Sequence, residues 1–272
     1  MRETSPGPMS RVARRLLTAP QRTAIAGRLR QIAQARHRLA PGYAENRRRL
    51  AAMRDSRRGE TCVIIGNGPS MRGFDLDRLA GIPCFALNRG YLMWQGLARQ
   101  PDFLVAVNDL VLRQFADEIA ATGLQRFVPW DFHRAFDTVP GTHFIETQWR
   151  PRFHRDITTG TWLGATVTFS ALQIAYHLGF SRVVLIGVDH SFRFEGMPNG
   201  KLIATGDDPN HFDPSYFSGG AEWHAPDLSL SEVAYGMAND AFRADGRVIL
   251  DATARGQLRV FPRLPLDEAL RD

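Results

Sequence analysis

From residue 59 onward, short apolar runs alternate with polar or glycine-containing turns, and this pattern decides the fold class. Thr61–Ile65, Cys84–Leu87, Phe103–Val107, Gln125–Val128, Val183–Ile186 and Val248–Leu250 are short and mostly uncharged. Such runs predict buried strands. Between them, apolar residues recur at helical spacing over Val111–Ala121, Thr161–Leu178 and Glu232–Ala244. In Thr161–Leu178 the repeat runs through Leu163, Val167, Ala171, Ile174, Ala175 and Leu178, with Gly179 as the C-cap. Ser229 or Ser231 caps the helix ending at Ala244. Phe74–Leu79 reads as a short helix and Tyr91–Leu97 as a helical or irregular crossover. Strand–helix alternation of this kind predicts an α/β fold, a doubly wound, mainly parallel, Rossmann-like sheet. Residues 131–156 are aromatic and irregular, and 191–228 read as a long insertion rich in Gly, Pro, Asp and aromatics. An insertion of that length predicts a lid, over about residues 190–228.

The N-terminal segment has a different pattern. Residues 11–19 and 21–39 read as basic helices broken by Pro20 and ended near Pro41-Gly42, and Glu45–Arg58 resumes as another. Residues 1–58 carry fifteen arginines against three acidic residues, which leaves nineteen basic and twenty-five acidic residues in 59–272. The net charge of +6 therefore belongs to the extension, and the body is mildly acidic. That division argues against a body that binds nucleic acid over a broad surface. It predicts a basic helical extension over 1–58 and a nucleotide-binding α/β catalytic domain over 59–272. The extension suits packing on the body or on a second copy in a homo-oligomer. It equally suits an anionic membrane surface, with an affinity that salt would screen. Two cysteines, Cys62 and Cys84, sit in separate predicted strands and read as buried thiols. With no h-region and no apolar run long enough to span a bilayer, the expected location is cytoplasmic, peripheral on the inner face of the membrane.

Candidate chemistry gathers at the strand ends. Thr61–Ile65 feeds directly into Gly66-Asn67-Gly68-Pro69-Ser70. Gly66 and Gly68 permit unusual backbone geometry and close ligand approach, Pro69 stiffens the turn, and Ser70 can cap or bind phosphate. The stretch is neither the dinucleotide fingerprint, since Met71 replaces its third glycine, nor a P-loop. It reads as a phosphate-binding loop or as a plain strand-to-helix turn. Two further strands end in Asn88-Arg89 and Asn108-Asp109, and a third in Gly187-Val188-Asp189-His190. In a parallel sheet those ends share one edge, where ligands bind. Thr158-Thr159-Gly160, just before the predicted helix, reads as a second anion site. No cysteine or histidine spacing predicts a metal site.

The order of these motifs resembles the 6-hydroxymethylpterin diphosphokinase-like superfamily over about Gly59 to Arg263. The likeness rests on Ile64–Ser70, Asn88-Arg89, Leu178-Gly179-Phe180 and Leu185–His190, and on Asp251-Ala252-Thr253 through Phe261-Pro262-Arg263, which looks like its bacterial members. That superfamily includes motility accessory factors and is similar in motif order to small bacterial sialyltransferases. The resemblance implies a glycosyltransferase moving a sugar from a CMP-linked donor to a surface-glycan acceptor, with no cofactor required. Gly66–Ser70 would hold nucleotide phosphate and ribose, Asn88 and Asn108 would meet nucleotide or donor sugar, and Thr158-Thr159-Gly160 would lie at the cytidine nucleotide. Gly187 and Asp189 would line the base and ribose pocket, and His224 would be the general base, with His211 and His190 as rivals. His190-Ser191 departs from the aromatic residues those transferases carry after the aspartate.

Two other functions fit the residues. A pterin diphosphokinase would use ATP and Mg²⁺ and needs carboxylates around the metal, for which Asp109, Asp189, Asp207 and Asp208 are available. A non-catalytic nucleotide-binding module would recruit partners through the arginine-rich arm.

Overall fold

The structure, a computed structural model, describes residue 32, residues 34–193 and residues 196–271. The predicted basic helix at 11–19, and residues 21–31 of the one predicted over 21–39, lie outside the described residues. The chain divides into two compact units at Arg48–Arg49. Helix α1 (Tyr43–Ala52) carries Arg49 and Leu50 into the second unit, where the whole α/β fold lies.

That unit is built on a seven-stranded parallel sheet, β11-β8-β1-β2-β3-β4-β5. Its strands are β1 (Thr61–Ile65), β2 (Cys84–Leu87), β3 (Phe103–Val105), β4 (Gln125–Pro129), β5 (Thr142–Ile145), β8 (Arg182–Ile186) and β11 (Val248–Asp251). Parallel strands covered on both faces read as continuous apolar runs, and Cys62–Ile65 is wholly buried. Cys62, Ile64, Phe85, Phe103, Phe127, Val183 and Leu185 join one core with helices α4 (Val167–Leu178) and α5 (Leu228–Ala244). Every residue from Thr168 to Leu178 is buried, the polar Thr168, Ser170, Gln173 and His177 included. The alternate residues Val63, Ile65, Ala86, Leu104 and Val184 are buried too. Helix α2 (Asp109–Ala121) and 3-10 turns at Leu76–Leu79 and Asn88–Trp94 stand where the other connections pass.

Several sequence-based boundaries move. The Phe74–Leu79 helix is a 3-10 turn, Leu76–Leu79, capped by Asp75. Helix α5 is capped by Asp227, whose carboxylate accepts from Leu230 N at 3.0 Å, and not by Ser229 or Ser231. Edge strand β5 falls within the region read as irregular, preceded by the short helix α3 (His133–Phe136) and followed, after Glu146, by β6 (Thr147–Gln148). Helix α4 begins at Val167 rather than Thr161. Thr161 and Trp162 instead form β7, parallel to β6, and Gly164 and Ala165 take φ of +57° and +62°. A right-handed helix cannot run through two left-handed residues. The insertion read as structureless holds two antiparallel strands, β9 (Lys201–Ile203) and β10 (Glu222–His224).

The start of the unit is stitched along the end of α4. Asp55 N donates to His177 O at 3.0 Å, Arg57 N to Leu178 O at 2.7 Å and Gly59 N to Gly179 O at 3.2 Å. A ring nitrogen of buried His177 lies 2.8 Å from Leu50 O.

Two other histidines set a pH limit on the fold. Burial pushes His143 and His154 down to about 4, helped by Arg49 and Arg126 near the first and Arg152 near the second. Neither ring nitrogen of His154 has a partner among the described residues. Both rings are neutral when folded, whereas in the unfolded chain they protonate near pH 6.5. Their contribution is thus present above about pH 6.5 and lost as the pH falls from there toward 4. Thermal midpoints are expected to drop across that window, and less so in a His143→Phe/His154→Phe variant. An unchanged slope in that variant would assign the acid sensitivity to other groups.

Candidate functional site

Successive connections run outward from β1 through β2, β3, β4 and β5, and then the chain crosses back to β8 on the other side of β1. The sheet therefore reverses its winding between β1 and β8, and ligand crevices in open α/β sheets form outside such a point. The glycine loop after β1 and the Gly187–Asp189 turn after β8 meet there. Gly66 N donates to Ile186 O at 2.8 Å and Gly68 N to Gly187 O at 2.9 Å. A Cβ on Gly66 would overlap Gly187 O, and one on Gly187 would lie 2.5 Å from Gly66 O.

The glycines here answer a demand for space more than one for unusual backbone. Gly68 has φ −69°, open to any residue, and Gly66 is not among the positive-φ positions. A Cβ on Gly68 would overlap the carboxylate of Asp189. That carboxylate takes the donors of the loop, accepting from Ser70 N at 3.1 Å and from Ser70 Oγ at 2.6 Å. Asp189 thus stands where an anion would engage Ser70.

On the β2 side, Asn67 Nδ2 donates to Leu87 O and to Tyr216 Oη, each at 2.9 Å. Tyr216 is 1% exposed, and its hydroxyl also accepts from Arg89 N at 3.2 Å. Burial pushes that phenol far above its usual range. The side-chain oxygens of Asn67 and Asn88 are buried with no donor among the described residues. Asn88 holds φ +49°.

The segment Asp208–Phe217 is clamped against this edge. Phe212 N donates to Asn67 O at 2.8 Å, and Arg72 Nη2 to His211 O at 2.9 Å. Arg89, 8% exposed, donates to the carbonyls of Ser215 and Tyr216, pairs with Glu118 at 3.2 Å and lies 3.9 Å over the Phe115 ring. Gln114 of α2 exchanges two 2.8 Å bonds with the backbone of Glu222. Within this clamp, His211 Nδ1 lies 2.7 Å from Asp208 Oδ2, and its ring stacks on Tyr216 at 4.0 Å and 3°. The other ring nitrogen has no partner among the described residues.

The remaining sequence-predicted residues divide into two groups. Asn108 caps α2, accepting from Val111 N at 3.1 Å, and Asp109 lies in its first turn. His224, at the end of β10, has Nδ1 3.9 Å from Asp109 Oδ1. His190 holds φ +53° and lies 2.9 Å from Glu232 Oε1. Asn108, Asp109 and His190 follow the ends of β3 and β8, and His224 is the last residue of β10. Thr158-Thr159-Gly160 does not join them: Asp156, which accepts from Thr158 N and Oγ1, sits 3.7 Å from His177 in the last turn of α4. Thr166 is the hydroxyl at the N-terminus of α4, next to Tyr235 Oη at 3.3 Å. The glycine at 164, four residues before the buried run Thr168–Leu178, was the signal that could have located it.

The fold is similar to the solved structure of a MAf glycosyltransferase from Magnetospirillum magneticum AMB-1, with a TM-score of 0.52 and 16% identity over 84% of this chain. This chain spans 39% of that protein. At that identity the likeness speaks for the fold, an α/β Rossmann-like sheet. Among the relatives suggested by motif order, it is the motility accessory factors that this neighbour represents. No protein-family model matches the chain, and no curated protein matches its sequence.

Proposed function

We propose that this chain is a glycosyltransferase that moves a sugar from a nucleotide-activated donor, a CMP-linked acidic sugar, to a glycan hydroxyl. The observation that carries the reading is the His211–Asp208 pair, held against the glycine loop through Tyr216, Asn67 and Arg72. With Nδ1–H given to Asp208, the other nitrogen keeps its lone pair for a proton. As the acceptor oxygen bonds to the anomeric carbon, the anomeric carbon–phosphate oxygen bond breaks. The hydroxyl proton passes to His211, and the nucleotide monophosphate leaves with the bonding pair. The buried oxygens of Asn67 and Asn88 suit the amine and hydroxyl donors of a base and a sugar, since buried acceptors left unpaired are costly. Gly187, Asp189 and Ser70 form the adjoining wall.

In this reading the acceptor is a surface glycan and the basic residues 1–58 hold the enzyme at an anionic membrane face. Among the described residues no helix is long and apolar enough to cross a membrane.

A thermal-shift screen of CMP, CDP, UDP, GDP and ATP, each with and without Mg²⁺, tests the donor class. Stabilisation by CMP without metal is the expected result. Stabilisation by ATP only with Mg²⁺ would instead favour phosphoryl transfer, and no shift with any nucleotide would remove the donor assignment.

A further inference from the structure

A second cavity, about 540 Å³, opens beside the glycine loop on the β8–β11 side. That is the size of a small-molecule site. Its apolar wall includes Met71, Phe74 and Leu264, and its polar wall carries Arg78, Arg255 and Arg263 against one acid, Asp267. Ser70 and Gly187 also line it, so it shares a wall with the crevice outside β1 and β8, whereas none of His211, Asn67 and Asn88 does.

Two of the three arginines are already neutralised. Arg78 pairs with Asp267 at 2.6 Å. Arg263 pairs with the buried carboxylate of Asp251 at 2.8 Å and donates to the carbonyls of Thr253 and Gly256. The guanidinium of Arg255 meets no acceptor among the described residues, and neither do the backbone N–H groups of Ala254 and Arg255. Two successive amides and a cation on one wall are complementary to an anion.

The turn that presents them is held rigidly. Arg255 takes φ +58°, a left-handed conformation that residues with a Cβ rarely adopt. Gly256 N closes the turn onto Thr253 O at 3.3 Å, and Gln257 N donates to Asp189 O at 2.8 Å. Arg263 clamps the turn from the other side through the carbonyls of Thr253 and Gly256. Asp189 therefore joins this turn to the glycine loop, through its carbonyl on one side and its carboxylate on Ser70 on the other.

We propose that this cavity binds an organic anion, a phosphate monoester or carboxylate on an apolar body. Arg255 and the two amides take the charge, and Met71, Phe74 and Leu264 take the body. The site adjoins the proposed donor site at Ser70 and Gly187, but its ligand needs no nucleotide, so binding of a non-nucleotide anion is read separately from glycosyl transfer.

Calorimetric titration of the full chain with hexyl phosphate and with inorganic phosphate tests it. Hexyl phosphate should bind saturably and more tightly than inorganic phosphate, because only it covers the apolar wall. Arg255→Gln, which keeps the turn's backbone demand and removes the charge, should weaken hexyl phosphate by about tenfold or more. Leu264→Ser should weaken hexyl phosphate and leave inorganic phosphate unchanged. Vesicles with and without phosphatidic acid then separate the sources. An Arg255-dependent gain on phosphatidic acid points to a lipid headgroup, and Arg255-dependent binding confined to hexyl phosphate points to a soluble compound. Absence of saturable hexyl phosphate binding, or equal affinity in Arg255→Gln, would overturn the site.

Discussion

His211→Gln is expected to lower turnover by roughly 10²–10⁴-fold while nucleotide affinity stays near that of the unaltered protein. The expectation comes from how completely Asp208 is committed. Asp208 is 6% exposed, and its carboxylate accepts from Asn210 N at 2.8 Å and Phe217 N at 3.2 Å besides facing His211. A buried carboxylate fixed in this way holds the imidazole in one tautomer and steadies the imidazolium that proton transfer creates. Stacking on Tyr216 and an edge contact with Phe217 at 5.3 Å fix the ring plane. The carboxamide of glutamine can reach Asp208, but it cannot take a proton at neutral pH. His224 is the natural control. At 3.9 Å its contact with Asp109 is too long for a hydrogen bond, and its side chain is 36% exposed. His224→Gln should therefore cost little, and so should His190→Gln. If His224→Gln is the variant that stalls while His211→Gln turns over normally, the base is the one suggested by motif order.

The difference between those two histidines shows what the sequence could and could not convey. Strands β1, β2 and β8 were legible because a parallel strand buried on both faces is an unbroken apolar run with a turn at its end. Their polar ends were legible for the same reason, and Gly66, Asn67, Ser70, Asn88 and Asp189 do lie along one edge of the sheet. The order of helix α4 and strand β8 was readable too. Its start was not, because the apolar spacing of Leu163 and Val167 continues through Gly164 and Ala165, whose left-handed backbone ends any helix. That error carried Thr158-Thr159-Gly160 to the wrong end of α4. Strand β5, Thr142–Ile145, was hidden because an edge strand with a threonine and a histidine lacks the apolar run. The insertion was the least legible stretch. Its order comes from Arg72, Arg89 and Gln114, residues 100 or more positions away in sequence from the groups they hold, and local pattern cannot register such partners.

Gly68→Val is expected to abolish nucleotide binding in a chain that still folds. The backbone of Gly68 is extended, with φ −69° and ψ 162°, so valine adds no torsional strain there. The conflict is one of space. The new Cβ would overlap Asp189 Oδ2 and lie 2.8 Å from Gly187 O. The carboxylate is the softer of the two obstacles, because a side chain can rotate and a strand-end carbonyl cannot. Asp189 would swing away, break its bonds to Ser70 N and Oγ, and leave the loop and the Gly187 turn without their shared tie. Overpacking of this kind typically costs about 1–3 kcal/mol, which a domain with a sheet this large should survive. Two companions separate the causes. Ser70→Ala removes one hydroxyl bond to Asp189 without adding an atom, and should weaken nucleotide binding by less. Gly66→Ala drives a Cβ into Gly187 O and lies 3.0 Å from Val188 N, so backbone must give way where β1 and β8 meet. That variant should lose the fold itself, seen as a much lower thermal midpoint. A well-folded Gly68→Val protein with unaltered nucleotide affinity would show that the ligand does not sit at this loop, and that its glycines serve only the packing of β1 against β8.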